Sequence, residues 1–172
     1  MALPLLDHAR AVKSARAVSF MRGAARITSK TFAAIFPTIR AGMTEQELAR
    51  GISSTMKQFG AEALAFPVIV AFGSNTAHVH HDPTARKLKK HEIVMLDFGP
   101  AVGGYCSDMT RTFFFGEPTK KFTLWHGRVL EAQRRAIAKL RDGARASGVD
   151  GAARDYLTRF APKKNFPHST GH

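Results

Sequence analysis

The sequence has few acidic residues. Asp and Glu together number 13 against 26 Lys and Arg, so the formal net charge is +13. Clustered bases would indicate a nucleic-acid or acidic-membrane partner. Here the bases are spread along predicted helices with no aromatic side chains among them. The pattern favours a solvated helix face, or one half of a protein whose acidic half is absent, and a nucleic-acid partner is not expected.

The sequence also lacks disulfide-forming cysteines and long apolar runs. Its one cysteine, Cys106, excludes an internal disulfide and favours a reducing, cytoplasmic compartment. No apolar run approaches the roughly 20 residues that span a bilayer. The first residues turn polar at Asp7, so they lack the apolar core of a signal peptide. We expect a cytoplasmic protein without a membrane partner.

Helical patterns occupy both ends of the chain. Four helices are predicted, over residues 8–35, 45–58 and roughly 120–141, and in a short segment that Asp150 caps and that runs to Phe160. Thr44 and Glu47 form a capping-box pattern before the second helix, and Gly60 is a typical stop after it. A length of 172 residues predicts one domain, or a domain and a fragment of another.

The middle of the chain reads as β-structure. Apolar runs predict strands at 66–73, 91–99 and 105–116, with a loop over 74–84 and a turn in "PAVGG" at 100–104.

A faint internal repeat links the two ends of the chain. Phe66-Pro67 returns as Phe166-Pro167, and "IRAG" at 39–42 returns as "LRDG" at 140–143. Each copy follows a long helix and precedes a short one. We interpret residues 1–172 as one incomplete domain, an N-terminal half plus the start of a second repeat that stops where its sheet should begin.

Asp97 and Asp108 flank the predicted turn symmetrically about a midpoint between Val102 and Gly103. In a symmetric hairpin the two would be directly opposed, with Cβ atoms about 5 Å apart. Their apolar neighbours predict a buried site, where one carboxyl must be protonated or a cation must lie between them. The alternative is a pair of solvent-facing carboxylates. A carboxylate-rich site suits Mn²⁺, Co²⁺, Fe²⁺ or Zn²⁺.

The segment "MLDFGPAVGGYCSDMTRTFFFG", residues 95–116, resembles the signature of the pita-bread metallopeptidases. This family includes methionine aminopeptidase, Xaa-Pro aminopeptidase, prolidase and creatinase. The resemblance extends from about residue 12 to 172 and includes "GMTEQELA", "FGSNTAHVHHDPT" and "HSTGH". It implies the pita-bread fold, an α+β fold in which helices cover an antiparallel sheet, with the C-terminal part of the fold missing from this chain.

The resemblance implies two divalent metal ions, with manganese preferred and cobalt, zinc or iron as alternatives. The family binds them with two Asp, one His and two Glu residues. Asp97 would chelate one ion, Asp108 would bridge both, and His172 would bind the second. The two glutamates lie downstream of the Thr-Gly-His segment in the family, so this chain is expected to have little activity by itself.

Two further histidines take catalytic roles from the resemblance. His80 matches the histidine that the family places beside the substrate, where it holds the substrate carbonyl or the tetrahedral intermediate. His168 matches a second histidine of the Xaa-Pro branch, as a hydrogen-bond or proton-transfer partner. The resemblance selects His80 over its neighbours His78 and His81.

The loop and signature residues resemble the Xaa-Pro-cleaving branch more than methionine aminopeptidase. The implied activity is hydrolysis of the peptide bond before proline, so the expected partner is a peptide with proline at its second position. A homodimer is suggested by family habit alone. The alternatives are methionine aminopeptidase-like activity, creatinase-like C–N hydrolysis, and a pita-bread pseudoenzyme that binds protein or RNA without hydrolysis.

Overall fold

The computed structural model describes residues 10–166 and 168–169. The chain divides into two compact units, one up to Glu117 and one from Pro118 onwards. Within the described residues, the β-strands lie in the first unit together with two long α-helices, and the second unit contains two α-helices. Within the described residues, no helix combines the length and apolar character needed to cross a bilayer.

Helices α1 and α2 open the first unit. Helix α1 spans Ala15–Ile35 and α2 spans Glu45–Gln58. The prediction of one helix from residue 8 is wrong, because residues 12–14 interrupt it. The Ser14 hydroxyl accepts a hydrogen bond from the backbone N–H of Ala17 and so caps a new start.

The capping box predicted for α2 is confirmed. The Glu47 N–H donates to the Thr44 hydroxyl over 3.1 Å, and the Thr44 N–H donates to the Glu47 carboxylate over 2.7 Å. Gly60 follows the helix with a φ of 97°, a conformation that costs glycine little.

Six antiparallel strands form two small sheets. They are β1 (Ala63–Leu64), β2 (Ile69–Phe72), β3 (Glu92–Phe98), β4 (Pro100–Val102), β5 (Tyr105–Cys106) and β6 (Met109–Phe115). The sheet orders are β1-β4-β5 and β2-β3-β6. The strand predicted at 66–73 is therefore shorter, and the one predicted at 105–116 is divided between the two sheets.

Strands β3 to β6 form one long hairpin whose centre differs from the prediction. Val102 pairs with Tyr105, and Asp97 pairs with Thr110. The turn is Gly103-Gly104, both with positive φ, so the centre lies one residue later than the sequence indicated. The predicted five-residue turn is wrong because its first three residues form β4.

Gly99 allows the two arms of this hairpin to approach closely. A Cβ at this position would lie 1.6 Å from the carbonyl oxygen of Ser107 and 3.2 Å from the Cα of Asp108. Only a residue without a side chain fits there, so Gly99 sets the distance between the strand that follows Asp97 and the segment that carries Asp108.

The core of the first unit lies between α2 and the β2-β3-β6 sheet. Leu48, Ile52 and Met56 recur on one face of α2 and are fully buried. On β3, burial alternates through Val94, Leu96 and Phe98. Because successive strand side chains point to opposite faces, Asp97 lies on the face away from this core.

A buried carboxylate joins α2 to the loop after β2. The side chain of Glu45 is fully buried and accepts five hydrogen bonds. The donors are the N–H of Phe72 (2.8 Å), Nδ2 of Asn75 (2.9 Å), Nε2 of His81 (2.9 Å), and the N–H (3.0 Å) and hydroxyl (2.6 Å) of Thr84. The predicted loop 74–84 is thus held at both its ends.

These hydrogen bonds decide the charge of Glu45. Burial alone raises the pKa of a carboxyl, but hydrogen bonds from Thr84, His81 and the Phe72 N–H lower the pKa of Glu45 from 4.5 to about 2. The group is therefore ionised at neutral pH in spite of its burial.

The second unit contains α3 (Lys120–Ile137) and α4 (Ala146–Leu157), which pack through Ala132, Ala136 and Ala153. Helix α3 ends earlier than predicted. The expected cap at Asp150 is wrong, because Asp150 lies inside α4. Its carboxylate instead accepts a hydrogen bond from Nε of Arg154 one turn later, at 2.9 Å.

We predict that Gly99→Ala destabilises the first unit by at least about 2 kcal/mol, because the new Cβ overlaps the Ser107 carbonyl oxygen. Urea unfolding measures the change. Gly51→Ala is the matched control: its Cβ makes an ordinary 3.7 Å contact with Ile35, so it is expected to be neutral or stabilising. Equal stability of the two variants would contradict the prediction.

The lowered pKa of Glu45 predicts an acid-labile contribution to stability. Folding lowers this pKa from 4.5 to about 2, so ionised Glu45 stabilises the fold above pH 4.5, and this contribution is lost as the pH falls toward 2. We expect the wild type to lose roughly 3 kcal/mol more than Glu45→Gln over that range. Urea unfolding at a series of pH values tests this, and parallel curves for the two proteins would contradict it.

Candidate metal centre and substrate-side histidines

Asp97 lies in the middle strand of the β2-β3-β6 sheet, on the face away from the core. Its neighbours in register are Ile69 on β2 and Thr110 on β6. The Thr110 hydroxyl donates a hydrogen bond to Oδ1 of Asp97 over 3.0 Å. The carboxyl is half-buried, so it has lost part of its hydration without gaining an ion pair from a Lys or Arg among the described residues.

Asp108 lies diagonally across the hairpin from Asp97 rather than directly opposite it. The register places Thr110 opposite Asp97, and Asp108 is two residues before Thr110, which puts it on the same side of the hairpin. The prediction of direct opposition is wrong because the turn is centred one residue later. The predicted burial of the pair holds only for Asp97, which is half-buried, whereas Asp108 is exposed.

The two carboxyls nevertheless interact. Burial raises the pKa of Asp97, the Thr110 hydrogen bond opposes that rise, and the neighbouring Asp108 raises it further through its charge and a shared hydrogen bond. Asp97 and Asp108 therefore form a pair in which ionisation of both carboxyls at once is unfavourable. A cation between the two would relieve it.

The segment that carries Asp108 is fixed from two sides. Gly99 permits its close approach to the opposite arm of the hairpin. From helix α1, the buried Thr28 donates a hydrogen bond from its hydroxyl to that of Ser107 over 3.0 Å. The residue before Asp108 is thereby attached to the first helix.

His80 lies in the loop that Glu45 holds. Its side chain is exposed, and its charge lowers the pKa of Asp97, which places the imidazole within electrostatic range of that carboxyl. Of the residues selected from the sequence, Asp97 and Asp108 interact directly, and His80 acts on Asp97 electrostatically.

The adjacent histidines differ from His80 in their contacts. His81 donates from Nε2 to Glu45 and is only 11% exposed in its side chain, so it is committed to holding the loop. His78 is exposed and stacks on the His81 ring at 6.3 Å between centroids.

Glu45 is the residue that sequence reasoning missed. In "GMTEQELA" it reads as one of two acids in the first turn of a helix, which is ordinary at a helix N-terminus. The available signal was its redundancy: Glu47 already completes the capping box, so a second glutamate at the first helical position was free to turn inward.

His168 lies in the second unit and is exposed. Its Nδ1 lies 2.7 Å from the carbonyl oxygen of Ser169. Arg154 donates to the carbonyl oxygens of Phe166 and His168, both over 2.8 Å, and lies over the Phe166 ring. This arginine therefore orders the segment that precedes the predicted ligand His172, which lies outside the described residues.

The donor set of the first unit fits a divalent cation. Two neighbouring carboxylates, one with a raised pKa, supply oxygen ligands and an excess of negative charge. No cluster of three or more His, Cys, Asp or Glu side chains that could hold a metal is found in the part of the chain that the structure describes. The carboxylates of Asp97 and Asp108 are therefore candidate ligands for a cation.

Comparison with known proteins identifies relatives over nearly the whole chain. An uncharacterized peptidase of Staphylococcus aureus strain MSSA476 is 36% identical over 163 residues, which cover 95% of this chain and 46% of the relative. The chain thus spans about half the length of the curated relatives it matches.

Solved structures show the same fold. A prolidase from Thermococcus sibiricus superposes with a TM-score of 0.95 at 35% identity, covering 99% of this chain and 47% of its own. An Xaa-Pro dipeptidase from Bacillus anthracis gives a TM-score of 0.93 at 34% identity, covering 98% of this chain and 47% of its own. The predicted pita-bread fold is confirmed.

The model of metallopeptidase family M24 matches residues 19–172, which include the hairpin with both aspartates and the His80 loop. The chain therefore belongs to metallopeptidase family M24.

Proposed function

We propose that this chain carries part of the active site of a metal-dependent peptidase that hydrolyses the bond before proline. The observation that supports this best is the pair of neighbouring carboxyls, Asp97 and Asp108, within electrostatic range of the exposed His80. Two neighbouring acids beside an accessible imidazole suit a cation and a carbonyl substrate better than they suit the stability of the sheet.

The preference for proline rests on two kinds of support. The signature and loop residues resemble the Xaa-Pro branch of the family. Similar structures include an Xaa-Pro dipeptidase from Bacillus anthracis and a prolidase from Pyrococcus furiosus. The expected substrate is a dipeptide or longer peptide with proline second.

Within this proposal Asp97 and Asp108 would hold the divalent cations through their carboxylate oxygens. When bound, such ions supply an activated water near neutral pH and polarise the scissile carbonyl. Manganese is preferred for an oxygen-rich donor set, with cobalt, zinc or iron as alternatives.

The remaining residues act on the peptide. His80 donates a hydrogen bond to the substrate carbonyl oxygen and stabilises the negative charge that develops there. His168 serves as a second hydrogen-bond or proton-transfer partner. His172 completes the ligands that this chain supplies, in a set of five that also requires two glutamates.

Three ligands of five hold a dinuclear centre weakly. We therefore propose that these 172 residues by themselves turn over little or no peptide, and that their two compact units belong to one catalytic domain. The exposed, unpaired thiol of Cys106 supports a cytoplasmic location. A homodimer is proposed from family habit.

A binding role without hydrolysis has one observation in its favour, the net charge of +13. A pseudoenzyme of this kind would bind RNA or an acidic protein through that charge. It would have no use for two neighbouring carboxyls that disfavour each other's ionisation, so we rank it second.

We predict that the chain binds Mn²⁺ and that Asp97→Asn or Asp108→Asn weakens binding by at least about tenfold, because each removes a charged oxygen ligand. The EPR signal of free Mn²⁺ in a titration measures uptake. Asp142→Asn, in the exposed segment between α3 and α4, is the control and is expected to bind as the wild type does.

Retention on heparin at moderate salt with no Mn²⁺ uptake would instead favour the binding module. Equal uptake by all three aspartate variants would show that the metal binds elsewhere.

We predict that the Mn²⁺-loaded chain of 172 residues does not hydrolyse alanyl-proline at a rate above background. The physical reason is the incomplete ligand set, which leaves the activated water without a fixed position. Release of free proline measures the rate. Efficient turnover would contradict the proposed inactivity while supporting the proline preference, and hydrolysis of alanyl-alanine at the same rate would remove that preference.

A further inference from the structure

We propose that Glu45 is a positioning residue for His80. It holds the loop of residues 73–84, which follows β2, and through His81 it keeps His80 on the side of the site that carries Asp97. The proposal rests on the proposed function in one respect, the role of His80 toward the substrate. The arrangement of the loop itself is independent of metal and peptide.

Glu45 closes the loop at its base. One carboxylate accepts hydrogen bonds from the N–H of Phe72, the last residue of β2, over 2.8 Å and from the N–H of Thr84 over 3.0 Å. Two backbone positions twelve residues apart in sequence are thus joined by a single side chain. Release of the carboxylate would remove one hydrogen bond from each end of the loop at once.

Glu45 also reaches the part of the loop that carries His80. Its carboxylate accepts hydrogen bonds from Asn75 and from Nε2 of His81, each over 2.9 Å. His81 directly follows His80 in sequence, whereas residues 77–80 are exposed. The hydrogen bond at His81 is therefore the restraint closest in sequence to His80 among those that the described residues show.

Glu45 does not serve as an ordinary acid at a helix N-terminus. That role belongs to Glu47, whose exposed carboxylate accepts the Thr44 N–H. Glu45 is instead fully buried, and a buried charge destabilises a protein unless hydrogen bonds satisfy it. Every donor that satisfies it comes from the end of β2 or from the loop, so the ionised carboxylate and the ordered loop depend on each other.

The β2-β3-β6 sheet connects the held loop to Asp97. The loop begins at Phe72, and β2 pairs with β3 in a register that places Ile69 beside Asp97. By holding the end of β2 and His81 together, Glu45 fixes the path of the chain from the strand beside Asp97 to His80.

NMR spectroscopy on the 172-residue chain, without metal or peptide, tests the proposal. Glu45→Gln is compared with Glu47→Gln, which weakens the same helix start but touches none of the loop. In E45Q we expect the amides of Phe72 and Thr84 to exchange roughly tenfold to a hundredfold faster, as expected for loss of a hydrogen bond to a charged acceptor. Carbon relaxation should show a more mobile His80 ring in E45Q, and in E47Q an unchanged one.

A second pair of variants leaves Glu45 intact. His81→Gln replaces the Nε2 donor by an amide donor, whereas His81→Leu removes the donor. We expect His81→Gln to keep the His80 ring as ordered as in the wild type. His81→Leu should loosen it while the Thr84 amide stays protected, because that hydrogen bond does not involve His81.

An ordered His80 ring in E45Q, equal loosening in E47Q, or equal behaviour of the two His81 variants would overturn the proposal. If E45Q does not fold, the His81 pair still gives the answer. None of these measurements needs turnover or metal, so failure of the proposed peptidase function would leave the result on Glu45 intact.

Discussion

The pairing register of the hairpin from β3 to β6 is the constraint on which the rest of the site depends. A two-residue turn at Gly103-Gly104 sets that register, and the close approach at Gly99 keeps it. Because side chains alternate along a strand, a shift of one residue would move Asp97 into the core or Asp108 to the opposite face. The neighbouring carboxyls follow from backbone geometry before any metal is considered.

Glu45 and Asp97 are both carboxylates partly or fully removed from water, but their pKa values shift in opposite directions. Glu45 receives five hydrogen bonds, and its pKa falls to about 2. Asp97 receives one hydrogen bond from Thr110 and faces a second acid, and its pKa rises. The hydrogen bonds of the chain satisfy Glu45, whereas burial and the neighbouring Asp108 make ionisation of Asp97 less favourable.

Much of the local structure could be predicted from the residues. Thr44, Glu47 and Gly60 mark the ends of α2 through contacts between near neighbours, and those predictions are confirmed. Two of the failures share a cause. Asp150 was expected to cap a helix, yet it bonds to Arg154 inside α4, and "PAVGG" was expected to be a turn, yet Pro100–Val102 pairs with another strand. In each case a competing partner outweighed a local propensity.

By itself, the sequence determined the family signature, the fold class and the acids Asp97 and Asp108 as metal-site candidates, because these depend on residue types at fixed spacing. Only the tertiary structure decided that the two acids meet diagonally, that Asp108 is exposed, and that Glu45 holds the His80 loop. The register depends on where a turn is centred, and the role of Glu45 depends on donors 27 to 39 residues away. Such contacts arise only when the chain is folded, so the local sequence does not specify which residues are the partners.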